Sequence, residues 1–184
     1  MIWLILGVAL WWGAHFFKRI APDVRAGMGE AGKGLVAALL LASLVLMVIG
    51  YRSADGAFFW GRSPAMVGIN NLLMLLAFYS FGASAAKPAK VWLGTKIRHP
   101  QLTGFSLWAV AHLLVNGDMP SIILFGGLLV WALAEMAVIN KAEGPWAPPP
   151  QAPAKKEIVL LVVTVVLFSV TSGVHYWLGY PVFG

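Results

Sequence analysis

Two histidines inside apolar runs close segments that read nearly alike: Gly7-Val-Ala-Leu-Trp-Trp-Gly-Ala-His15 and Gly104-Phe-Ser-Leu-Trp-Ala-Val-Ala-His112. The chain has no cysteine, so imidazole is its only strong soft-metal ligand, and thiolate zinc, iron–sulfur and thiolate-haem chemistry are excluded. On a helix the residues four and eight back share a face, which puts Trp11 and Gly7 beside His15, and Trp108 and Gly104 beside His112. An imidazole with a glycine that admits a flat group and a tryptophan that edges it suits ligation of a metal macrocycle. His175, after Ser172-Gly-Val, lies close to a membrane interface; an interfacial hydrogen bond accounts for it, and it is the reserve ligand for His112.

The box Arg98-His99-Pro100-Gln101 carries a different chemistry. Pro100 suits the first turn of a helix, so Arg98 and His99 stand beside free backbone N–H groups and the positive end of the dipole. A propionate, phosphate or carboxylate belongs there. Asn116-Gly-Asp-Met-Pro120 is a turn signal, with Asp118 as cap or as a group orienting a histidine. Asn70 and Asn71 read as hydrogen-bonding glue between helices, and Glu135 as a side chain snorkelling towards Lys141.

These residues must be positioned by membrane helices. Of 184 residues 60% are hydrophobic and 11% charged, which leaves room for about six spans of roughly 17–25 residues and for no sizeable soluble domain. The expected architecture is all-α, a single polytopic transmembrane bundle over 1–184, with runs near 2–17, 34–51, 64–82, 101–117, 119–139 and 157–178. Runs four and five form a tight hairpin. The first run lacks a basic leader and a clean cleavage site, so it reads as a retained helix. The proline-rich stretch 146–156 reads as an extended, solvated linker, and Gly126-Gly127 as a close helix contact within or between protomers.

Basic residues alternate between loops. Lys18, Arg19, Arg25 and Lys33 fall in the first, Lys87, Lys90, Lys96 and Arg98 in the third, and Lys141, Lys155 and Lys156 in the fifth; Arg52 and Arg62 alone lie opposite. The odd loops are then cytoplasmic and both termini are not. The net charge of +6 reflects this bias and contact with anionic lipid, and no nucleic-acid partner is expected. Counting at 1.5 Å per residue sets His15 and His112 about 12 Å apart along the membrane normal, so one iron shared between them requires a tilted macrocycle.

Arg98-His-Pro-Gln-Leu-Thr-Gly104, followed by Trp108, His112 and Asn116-Gly-Asp118, together with His15, resembles the NnrU family of bacterial membrane proteins over most of the chain. That family is associated with denitrification and is related to the 15-cis-zeta-carotene isomerase. The resemblance implies a haem b with His15 and His112 as metal ligands in a protein of the bacterial inner membrane, and the helix faces and the Arg-His-Pro box would then set Arg98, His99, Trp11, Trp108, Gly7 and Gly104 about it. The isomerase branch has a cysteine where this chain has Ala109, which removes that alternative ligand. Three functions follow as expectations: a bis-histidine haem protein of nitrogen-oxide or redox metabolism; a haem-dependent isomerase of a lipophilic polyene entering from the lipid bilayer; or a haem-free partner of a respiratory complex. Homo-oligomerisation is compatible with each.

Overall fold

The apolar runs become helices whose ends are set by local chemistry. In the computed structural model, which describes residues 1–85 and 88–183, α1 (Ile2–Ile20) ends with Lys18 and Arg19 in its last turn, where cations complement the dipole. A short α2 (Pro22–Gly27) leads into α3 (Gly29–Arg52), which begins earlier than the apolar run, with Glu30 and Lys33 paired at 2.7 Å on its exposed first turn. Ser63 accepts from the Met66 N–H to cap α4 (Pro64–Gly82), with Pro64 at the first position. Lys87, one of the third-loop cations, lies outside the described residues.

After α4 a 3₁₀ turn, Trp92–Thr95, precedes α5 (Pro100–Val115). The expected hairpin then appears. Asp118 accepts from the Ser121 backbone N–H at 2.8 Å, opening α6 (Met119–Ser121), a π turn (Ile122–Gly126) and α7 (Gly127–Glu143) as one continuous rod. The chain ends with α8 (Ala154–Trp177).

Two elements depart from the all-helical expectation. Phe58–Trp60 (β1) pairs antiparallel with Gly117–Asp118 (β2), because the hairpin turn exposes backbone groups that the preceding loop satisfies. The stretch 146–156 is not simply solvated. It docks on Lys90, whose N–H donates to the Pro150 carbonyl at 2.9 Å and whose carbonyl accepts from Ala152 at 2.6 Å.

Among the described residues, four helices are long and apolar enough to cross a membrane: Gly29–Arg52, Pro64–Gly82, Met119–Glu143 and Ala154–Trp177. α1 carries two cations in its final turn, and α5 has only 16 residues between Pro100 and Asn116, so neither reaches that measure. Their packing is nevertheless intimate. α1 lies along α3, α5 along α4, α7 joins α5 and touches α1, and α8 covers the outer side of α4. Close approach explains the glycines: a Cβ at Gly7 would meet the Met47 backbone and the Ser43 carbonyl of α3, and one at Gly104 the Ala77 carbonyl and Phe81 backbone of α4. Gly127 meets Val8, and its carbonyl accepts from Trp12 Nε1 at 3.1 Å, so this glycine contact lies within the protomer.

Leu4, Met47 and Leu128 form a small core, and apolar side chains on α3 and α8, such as Leu41, Val48, Val162 and Val166, point outward. An outward apolar surface of this kind is compatible with contact with lipid. At one end Glu143 bridges Arg19, at 3.5 Å, and Arg98, at 3.0 Å. Met1, Gly56 and Met119 meet at the other end, where Asn71 also holds the Val182 carbonyl at 3.0 Å. Met1 and Val182 therefore lie opposite the basic end.

Candidate functional site

Each histidine of the matching pair is oriented by its own helix. Nδ1 of His15 lies 2.9 Å from the Trp11 carbonyl, Nδ1 of His112 2.9 Å from the Trp108 carbonyl, and Nδ1 of His175 2.9 Å from that of Thr171. A carbonyl can only accept, so Nδ1 carries a proton in all three, and in the neutral ring Nε2 keeps its lone pair. This is the tautomer a metal-binding or hydrogen-accepting imidazole needs, held by a fixed backbone group.

The second flank of each ring comes from the α7 rod. His15 sits between Trp11, at 4.4 Å between ring centroids, and Trp131, at 4.5 Å; His112 sits between Trp108, at 5.1 Å, and Phe125, at 4.7 Å. Phe125 belongs to the π turn, a helical irregularity frequent at functional sites. Phe105 stands at the centre, 6.2 Å from Trp11, 5.2 Å from Trp131 and 5.0 Å from Trp108. Trp131, Phe125 and Phe105 were not singled out from the sequence, because an aromatic residue in an apolar run carries no mark of its neighbours.

This aromatic cluster lies between two cavities. His15 lines one of about 410 Å³ at the basic end, with Arg98, His99, Trp131 and Glu135. His112 lines another of about 750 Å³ towards the termini, together with His175, Trp108, Asn71, Arg52 and Arg62. The matching histidines are thus in separate chambers, whereas His112 and His175 share one. The separation agrees in direction with the axial offset counted along the helices.

Several candidates are already engaged. Arg98 donates to the Gly144 carbonyl at 2.6 Å and to Glu143, so the anion beside it is a protein carboxylate. His99 Nε2 is hydrogen-bonded to Asn140 Oδ1 at 2.8 Å. The space over Gly7 and Gly104 is taken by α3 and α4. Asp118 caps the helix and also holds the Ser121 hydroxyl, which meets Tyr51 at 2.8 Å. Asn71 ties down the tail as glue. Glu135 does not reach for Lys141: six residues apart on a helix they fall on different faces, and Glu135 lines the His15 cavity with Oε2 buried and without a hydrogen-bond partner.

Among the described residues no three or more His, Asp or Glu side chains gather as a metal cluster. A bis-imidazole macrocycle needs only two nitrogen ligands, and the shared chamber of His112 and His175 falls within the roughly 300–1,000 Å³ of small-molecule pockets. That donor set fits a haem. His15 and His112, in different chambers, do not fit one group without movement of the aromatic cluster. Compared with known proteins, a family model described as NnrU protein matches residues 3–182. No curated protein and no solved structure matches.

Proposed function

This chain belongs to the NnrU family, and on that premise we propose that it is an integral membrane haem b protein linked to nitrogen-oxide or redox metabolism, with His112 and His175 as the iron ligands. The reading rests on one observation: these are the two histidines that share a cavity, each with Nδ1 bound to a carbonyl four residues back and Nε2 free. Arg52 and Arg62 line the same chamber and would receive the propionates. When bound, a haem would supply one-electron chemistry whose potential depends on its ligands and on burial.

The chain's own part is orientation and exclusion of water. The Trp108 and Thr171 carbonyls fix the imidazole planes and raise their basicity. Phe125 stacks on His112, while Phe78 and Phe168 make the walls apolar. In this reading α1 and α5 also cross the bilayer, giving six spans in a bacterial inner membrane with the basic loops cytoplasmic. A second function, isomerisation of a lipophilic polyene, is favoured by the apolar lining that Met74, Phe78 and Phe168 give the same chamber.

The test is the optical spectrum of detergent-purified protein expressed with added haem precursor. His112→Ala and His175→Ala should each abolish the low-spin Soret spectrum, and His15→Ala should preserve it. Loss with His15→Ala and retention with His175→Ala would return the iron to His15 and His112. Absence of any Soret band leaves the haem-free structural role. Conversion of a cis-polyene by the reduced protein would favour the isomerase.

A further inference from the structure

The His15 cavity plays no part in the haem reading, yet it gathers polar groups that lack partners. His15 keeps the Nε2 lone pair, since Nδ1 donates to the Trp11 carbonyl. Glu135, one turn after Trp131 on α7, has Oε2 buried and unpartnered among the described residues. Trp131 is 4% exposed, and its Nε1–H is likewise without an acceptor. Buried polar groups are almost always satisfied, so a buried acceptor, Glu135 Oε2, and a buried donor, Trp131 Nε1–H, beside the His15 Nε2 lone pair around one cavity of about 410 Å³ call for an occupant.

Charge selects what the occupant is. Arg98 and Lys90 line the cavity, which disfavours a cation, and the Glu135 carboxylate disfavours an anion. A neutral molecule remains. Trp131 and Trp146 supply flat walls, and Leu102 and Ile139 supply apolar ones, which suits a ring. The two acceptors require hydroxyl donors on that ring. We propose that this cavity binds a neutral dihydroxylated aromatic ring of the quinol class, with His15 Nε2 and Glu135 accepting its hydroxyl hydrogens and Trp131 donating to one of its oxygens. Such rings dissolve in the bilayer and can reach the cavity from it. The site is independent of haem, and binding alone is inferred.

The full chain in phospholipid nanodiscs would be titrated by equilibrium dialysis with tetramethyl-p-benzoquinol and with its dimethyl ether, the same ring without O–H donors. Saturable binding of the quinol is expected, weaker by roughly tenfold for the ether. Glu135→Gln and His15→Phe should each weaken quinol binding by a similar factor, and Glu30→Gln, an exposed carboxylate on the first turn of α3 outside both cavities, should leave it unchanged. Equal binding of quinol and ether by the unaltered protein would overturn the proposal without reliance on any variant. So would absence of saturable binding, quinol affinity unchanged in both cavity variants, or the same loss in Glu30→Gln.

Discussion

A glycine's value depends on what stands opposite it, and this chain offers a controlled comparison. At Gly104 a Cβ would come within 2.6 Å of the Ala77 carbonyl oxygen and 2.7 Å of the Phe81 nitrogen, which are backbone atoms that cannot rotate away. Gly104→Ala should cost about 1–3 kcal/mol, the usual penalty of overpacking, and lower the thermal midpoint in detergent. Gly13 has nothing within 4 Å. Gly13→Ala should be neutral or stabilising by about 0.5–1 kcal/mol through reduced chain entropy. The pair of melts checks whether the repeated glycine of the two nonapeptides serves helix contact; an unchanged midpoint for Gly104→Ala would count against it.

At the scale of elements, the α5–α7 hairpin is held by a cap and aimed by the π turn. Asp118 accepts from both the N–H and the hydroxyl of Ser121, and its backbone pairs with Phe58. Asp118→Ala should destabilise by roughly 0.5–2 kcal/mol, with Asp118→Asn recovering most of the loss, as a capping role requires. The π turn places Phe125 at 4.7 Å from the His112 ring. Deleting one residue from Ile122–Gly126 would restore α-helical winding and rotate Phe125 by about 100° about the axis. The expected result is a perturbed spectrum for a group bound at His112 with little change in helical circular dichroism. An unaltered spectrum would mean that Phe125 has no share in that site.

For the whole molecule, the arrangement of ends gives a direct topological test. The chain has no cysteine, so single cysteines can be introduced without background. Asp55→Cys, on the side of the termini, should react with a membrane-impermeant maleimide in intact cells. Lys155→Cys, beside the basic end, should react only after permeabilisation. Labelling in the opposite order would invert the proposed orientation.

Much of the site's raw material was legible in the sequence. The histidines with their i−4 tryptophans, the hairpin turn and its cap, and the alternation of basic loops all depend on residues close together in the chain or on a sum over many charges. These are local or additive properties, and a sequence carries them openly. What only the tertiary structure decided is which side chains share a space. Six residues along one helix separate Glu135 from Lys141 by face, and the α7 rod sets Trp131 against His15 but Phe125 against His112. The matched segments suggested one site with two identical halves. Close packing of α1 on α3 and of α5 on α4 instead places their histidines on either side of an aromatic cluster, because interhelical packing, unlike helical periodicity, is fixed by contacts between residues remote in the chain.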